Sequence, residues 1–206
     1  MQIAWNGLGS YVFSTKTAQG DVTLVTNPFV SGDIKFPRSQ VASIVVSSHN
    51  GDDARSYDAL TSEYPEDKRC PFNVEHAGEY EIRGVAVTGV YVPKKDASMH
   101  AIYRIDVEAM SIGFLGAIDR VLTEKEVEAL GNIDVLIIPA VKELLSASMA
   151  AEIVALIEPR MVIPSYTDDA SALCRELSSP TESTAKLKLT RAVLPEEDMK
   201  IVTFTR

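Results

Sequence analysis

Apolar and polar positions alternate from the start of the chain. Ile3 to Trp5 and Tyr11 to Phe13 alternate around Gly7 and Gly9, which predicts two strands joined by a tight turn. Asp21–Thr26 predicts a third strand, closed by Asn27-Pro28, and residues 30–40 read as a loop. Ala42–Ser47 is small, apolar and β-branched, the composition of a short buried strand. It breaks into the polar turn His49-Asn50-Gly51-Asp52-Asp53, after which Tyr57, Ala59 and Leu60 suggest a helix entering at about Asp52 or Asp53. Asp53 is then expected to cap that helix. Glu63 to Pro71, polar with two prolines, reads as a surface connection.

From Asn73 to Asp106 the period is near two, with turns expected at Gly78, Arg83-Gly84 and Pro93 to Ser98. Ala109 to Leu115 continues this antiparallel run. Thr123-Glu124-Lys125-Glu126 has the spacing of a capping box ahead of Val127 and Leu130, with Gly131 as the stop. Asp134–Pro139, apolar after its first residue, and Met161–Pro164 read as strands buried on both faces. Between them Met149, Ile153, Leu156 and Ile157 lie at helical spacing, ended by Pro159. Asp168-Asp169 predict the start of another helix, with Ala170, Leu173, Cys174 and Leu177 inside. Lys186–Leu189 and Lys200–Phe204 look like closing strands. Strands first, then strands alternating with helices, suggest two mixed sheets packed face to face with helices outside. No linker divides residues 1–206, so one domain is expected.

Composition narrows the function classes. The 206 residues are 46% hydrophobic and 24% charged, an ordinary globular balance. The net charge of −9 and scattered Lys and Arg argue against a nucleic-acid partner, whose phosphates call for clustered cations. No apolar run reaches the length of a membrane span, and Met1–Trp5 has no basic leader, so neither a membrane nor a signal peptide is expected. Cys70 and Cys174 show no metal spacing and read as reduced thiols of a cytoplasmic protein. No Gly-x-Ser-x-Gly elbow, P-loop or Gly-x-Gly-x-x-Gly fingerprint is present.

A resemblance adds to this. Ile3-Ala4-Trp5-Asn6-Gly7, Asn27-Pro28-Phe29, Ser48-His49, Gly78–Ile82, Phe114-Leu115-Gly116, Val121-Leu122-Thr123, Ile133–Pro139 and Glu158–Pro164 occur in an order that resembles the metallo-β-lactamase superfamily, in particular its small Zn-dependent-hydrolase-like branch. The resemblance runs from about residue 3 to 167. It implies an α+β fold, the four-layer αββα sandwich of two mixed sheets. The family's ligand loop, Thr-His-x-His-x-Asp-His, falls on Ser48 to Ala54. His49 and Asp53 match it, whereas Gly51 and Ala54 stand where the second and third His would be. The later His falls near Lys94, the bridging Asp on Ala117 and the last His on Tyr166. Two of seven ligand positions remain, and His100 replaces a family Asn. The family's Asp-Pro reads Asn27-Pro28, its Gly-His pair Gly7-Leu8, and a later glycine pair Val141-Lys142.

Zinc that activates water keeps about three protein ligands. With Gly51, Ala54 and Ala117 donating nothing, no cofactor is expected; the alternative is one zinc at His49, Asp53 and His100. An Asp53 left buried without a partner would be costly. Lys94 is therefore expected to pair with it, with His49 and Tyr166 hydrogen-bonded nearby. His76 and His100 read as ordinary surface or strand histidines, and Asp119, two places from Ala117, is disfavoured as a substitute for the carboxylate missing there because the strand end would have to shift too far. The expected function is a metal-free relative of the hydrolases that binds a small molecule or a protein. The alternative is a metal-dependent hydrolase with a rebuilt or mononuclear site. The oligomeric state and the ligand stay open.

Overall fold

The computed structural model describes residues 1–205. The first half builds one sheet by local hairpins. Strands β1 (Gln2–Gly7), β2 (Ser10–Thr17) and β3 (Gly20–Thr26) run antiparallel, Ile3 facing Phe13 and Phe13 facing Leu24. The apolar run at 42–47 divides at Ser43 into β4 (Gln40–Ala42) and β5 (Ile44–Val46). β4 pairs with β6 (Leu60–Ser62), whereas β5 lies parallel between β3 and β7 (Phe72–Val74).

No α-helix follows the ligand-rich turn, which corrects the helix and the Asp53 cap expected from the sequence. Residues 51–54 fold into a tight turn, and a single 3₁₀ turn, Tyr57–Ala59, leads into β6. A 3₁₀ turn also brings positions three apart onto one side. Tyr57 and Leu60 reach the same apolar cluster that way, against Val12, Val25 and Val45 on the outer face of the sheet.

The second half builds the larger sheet. β8 (Gly78–Ile82), β9 (Val85–Tyr91), β10 (Ala101–Val107) and β11 (Met110–Phe114) form an antiparallel meander, Gly78 being its first strand residue rather than a turn. Helix α1 (Glu124–Leu130) has the predicted capping box, with Gly131 as its C-cap. It is followed by β12 (Val135–Pro139), α2 (Ala147–Ile157), β13 (Met161–Ser165) and α3 (Ser171–Leu177). α3 starts later than expected, and Asp169 accepts from the Ser171 amide. In α2, Ala150, Ile153 and Val154 are buried and Leu156 is exposed, a shift of the apolar stripe predicted from Leu156. β14 (Thr181–Thr184), β15 (Lys186–Lys188) and β16 (Lys200–Phe204) complete the chain. β14 gives no apolar alternation because it is an exposed edge strand.

The outcome is a six-stranded sheet ordered β15-β1-β2-β3-β5-β7 and an eight-stranded sheet ordered β14-β16-β13-β12-β11-β10-β9-β8, both mixed. Tyr11, Phe13, Ile44 and Val46 of the first meet Tyr103, Phe114, Ile137 and Ile163 of the second in one core. A second cluster joins Leu136, Ile138 and Val162 to Leu130, Ile153 and Leu173 of the three helices. This is the α+β sandwich. Its helical layer lies on the larger sheet, and the smaller sheet is covered more thinly by the β4–β6 pair and its flanking loop. Both cysteines are free thiols, and among the described residues no helix is long and apolar enough to cross a membrane.

Glu126 holds two elements at once. It accepts from the Thr123 amide at 2.8 Å and from Arg120 Nη1 and Nη2 at 3.0 and 2.6 Å. Glu126→Ala should cost about 2 kcal/mol in urea denaturation, since it removes the side-chain half of the capping box and leaves the half-buried Arg120 guanidinium with only carbonyl partners. A loss below about 0.5 kcal/mol, the ordinary effect of a surface change, would show that water replaces the carboxylate.

Candidate functional site

The loop after β5 is bound to its surroundings by backbone. Ser48 O accepts from the Ala101 amide at 2.8 Å, Ser47 O from the Tyr103 hydroxyl at 3.0 Å, and residues 49 and 100 form an isolated bridge. The Ala54 and Arg55 amides both donate to Gly51 O, at 3.0 and 2.9 Å, curling the chain back on itself. That curl brings Asp53 Oδ1 to 2.8 Å from His49 Nε2.

Gly51 makes this contact fit. A Cβ there would lie 2.6 Å from Asp53 Oδ1 and 3.3 Å from His49 Cδ2. Any side chain at 51, the family's histidine included, would have to displace the pair. Ala54 and Ala117 are fully and nearly fully buried, so packing occupies the other two positions.

Asn27 extends the network. Its Oδ1 accepts from the Ser48 amide at 2.8 Å, which fixes the orientation of its side chain. Nδ2 is then the donor, at 2.9 Å to Ser48 Oγ and 3.2 Å to the Tyr166 hydroxyl. Ser48 Oγ lies 2.9 Å from His49 Nδ1. One tautomer of neutral His49 satisfies every contact: Nε2–H donates to Asp53, and Ser48 Oγ–H donates to Nδ1. The other would point a bare nitrogen at a carboxylate. Asp53 is held below the usual carboxylate range first by this hydrogen bond, with desolvation opposing.

Lys94 does not fill the role expected of it. Asp53 pairs with His49, and Lys94 acts on that carboxylate only through space. The loop carrying it closes on itself instead: the Lys94 amide donates to Ser98 O, the Ala97 amide to Lys94 O, and the Lys95 amide to Asp119 at 3.0 Å. Asp119 therefore anchors this loop. Tyr166, in left-handed backbone geometry at φ 63, packs against Gly9, where a Cβ would lie 2.5 Å from its hydroxyl, and it joins the site through Asn27. Burial raises its phenol well above the ordinary value, so it stays neutral.

His100 differs most from expectation. It is 2% exposed, its ring 6.0 Å from that of His49 at 25°, and neither ring nitrogen makes a well-aligned hydrogen bond, the Val92 backbone alone favouring its charged form. Burial, then the nearby His49 and Lys94, push its pKa down to about 3. His76, by contrast, is an exposed residue.

Among the described residues no group of three His, Cys, Asp or Glu is placed to hold an ion. His49 and Asp53 are bonded to each other, and His100 stacks beside the His49 ring without joining that hydrogen bond.

A largely apolar cavity of about 420 Å³ opens over Ser48, His49 and His100, with Arg55, Tyr91 and Met99 around it. Tyr91 and Met99 are exposed, at 49% and 65%. A recess of about 450 Å³ bounded by Asp67, Cys70, Tyr80 and Arg83 lies at the opposite end of β5 and touches none of these groups. Sequence reasoning passed over Asn27 and Ser48 as working parts. The signal was there in Asn27-Pro28, standing where the family has Asp-Pro.

Comparison with known proteins agrees with the fold. The profile of the Beta-lactamase superfamily domain matches residues 2–166. No curated protein matches the chain. A Thermotoga maritima structure, assigned to the Zn-dependent hydrolases of the metallo-β-lactamase superfamily, superposes with a TM-score of 0.77 at 21% identity, covering 100% of this chain and 99% of its own. The metallo-β-lactamase fold protein YhfI from Bacillus subtilis gives 0.62 at 10%, covering 100% and 96%. A protein from Parabacteroides distasonis assigned as a metal-dependent hydrolase gives 0.59 at 14%, covering 85% and 87%.

Proposed function

This chain belongs to the metallo-β-lactamase superfamily, and from that premise we propose that it is a metal-independent member whose cleft binds a small, largely apolar molecule. The observation that carries this reading is the His49–Asp53 hydrogen bond at 2.8 Å, made in the room that Gly51 leaves. Each ligand that matches the family's pattern satisfies the other. An incoming dication would have to break that bond and would find no third donor gathered to compensate.

The cavity above it suits a ligand with an apolar body and one polar end. Tyr91 and Met99 offer apolar surface at the rim, while His49 and the Arg55–Glu75 ion pair supply polarity. A molecule of that kind would cover the exposed Tyr91 and Met99 side chains at the rim.

Two measurements test this. Protein purified without a metal-affinity tag should carry substoichiometric zinc and melt at the same temperature with and without chelator. A metal bound at a hundred times its dissociation constant would add about 2.7 kcal/mol, so chelation would lower the melting temperature visibly. Titration with butyranilide, a small apolar amide, should shift the Met99 methyl resonance to saturation, and Ala77→Trp at the cavity wall should abolish the shift. Stoichiometric zinc with a chelator-dependent melting temperature would overturn the metal-free reading. An unmoved Met99 resonance would overturn the ligand reading.

A further inference from the structure

We propose that Ser48 is a nucleophile, activated by His49 and held in line by Asn27 and Asp53, that accepts the acyl group of a small apolar ester bound in the adjoining cavity.

Three side chains stand in one line of hydrogen bonds: Ser48 Oγ to His49 Nδ1 at 2.9 Å, and His49 Nε2 to Asp53 Oδ1 at 2.8 Å. Nucleophile beside base, and base beside an orienting carboxylate, is the geometric requirement for activating a hydroxyl. In the neutral ring, the tautomer that satisfies both contacts leaves Nδ1 unprotonated and facing the Ser48 proton. Asn27 grips Ser48 from both sides, accepting from its amide and donating to its Oγ, so the hydroxyl has one direction left for its hydrogen. A buried serine needing only structural satisfaction would be served by any one of these partners. The carboxylate at the far side of the imidazole has a further effect, because it stabilises the imidazolium that forms when the ring takes a proton.

Ser48 also lines the cavity of about 420 Å³, and Tyr91 and Met99 give it an apolar mouth. An acyl chain seated there would present its carbonyl at the cavity floor beside Ser48. This placement rests on the cavity reading given under Proposed function.

The step balances without any metal or redox partner. Ser48 Oγ bonds to the ester carbonyl carbon as its proton passes to His49 Nδ1. The tetrahedral intermediate collapses, the bond from carbon to the alkoxy oxygen breaks, and the departing alcohol takes the proton back from Nδ1. Acyl-Ser48 and free alcohol result. Water, deprotonated in turn by His49, can release the carboxylate and restore the serine. Once the acyl chain fills the apolar cavity over the buried Ser48, water reaches the new ester bond slowly, so the second step is the slower one and acyl-protein accumulates.

The probe is p-nitrophenyl butyrate in the presence of EDTA, followed by release of nitrophenolate, by intact mass and by peptide mapping. The expected result is a burst of one equivalent and a single butyryl group on Ser48. Ser48→Ala should carry no butyryl group at any site, and His49→Ala should acylate about 100-fold more slowly or worse, the usual loss for a missing general base. Asp53→Asn should lower the acylation rate at saturating ester while leaving the half-saturating ester concentration and butyranilide affinity unchanged, a split that loss of packing would not give. Ser48→Cys keeps a nucleophile in place and should regain acylation, guarding against a Ser48→Ala variant that merely misfolds. Absence of butyrylation at Ser48 in the unaltered protein, or equal labelling in His49→Ala, would overturn the proposal. Butyranilide binding is read separately on the Met99 resonance, so a cleft that binds but is never acylated sinks the nucleophile and leaves the binding reading standing.

Discussion

Gly116→Ala is expected to destabilise the protein by roughly 3 kcal/mol and to disconnect Ser48 from His49. Gly116 has φ +57, a left-handed geometry that costs a residue with a Cβ about 1 kcal/mol or more. Space is the larger problem. A Cβ there would sit 2.2 Å from both Ser48 Cβ and Ser48 Oγ, and 3.1 Å from His100 Nε2. Ser48 cannot retreat, because Asn27 and the Ala101 amide hold it on the other sides. Overpacking of this kind adds about 1–3 kcal/mol to the backbone strain. For a chain of this length the sum should lower the melting temperature by roughly 10 °C. A variant melting within about 2 °C of the parent would mean that the Ser48 loop yields far more readily than its hydrogen bonds suggest.

Acid should weaken the fold in a window that belongs to His100. Its folded pKa is depressed to about 3 from an ordinary 6.5, mainly by burial. Below pH 6.5 the unfolded chain therefore takes up a proton that the folded chain refuses, and stability falls with falling pH until about pH 3. One proton of difference is worth about 1.4 kcal/mol per pH unit, so roughly 2 kcal/mol should be lost between pH 6.5 and 5. The depressed carboxylates, Asp53 through its His49 bond and Glu126 through Arg120, also lose their contribution in acid, but only below ordinary values of 3.8 and 4.5. Urea midpoints between pH 7 and 5 isolate the histidine. His100→Asn, whatever it does to the absolute stability, should flatten that slope. An equal slope in the variant would assign the proton uptake elsewhere.

The fold was largely legible because its signals are local. Thr123 and Glu126 form the capping box their spacing predicts, and the wholly apolar β12 and β13 lie buried in the larger sheet. Where local signals were ambiguous, tertiary context chose. Tyr57 and Leu60 fit a 3₁₀ turn and a strand as well as a helix, and the exposed face of the smaller sheet decided between them. β14 was invisible because an edge strand of Thr, Glu and Ser has no buried side to alternate with.

The site divides in the same way. Sequence alone established that Gly51, Ala54 and Ala117, the positions the resemblance aligns with ligands, carry no side-chain donor atoms, because the presence or absence of a ligating side-chain atom is a property of the residue itself. What took the ions' place depended on distances between residues far apart in the chain. Asn27, Ser48 and Tyr166 meet only because β3, β5 and β13 end at the same rim of the sandwich. The choice of His49 over Lys94 as the partner of Asp53 was likewise made in three dimensions. A tight turn delivers the imidazole at 2.8 Å, while the lysine's loop is bonded to itself and to Asp119. Periodicity specifies which face a side chain is on; only the packed structure specifies what it touches there.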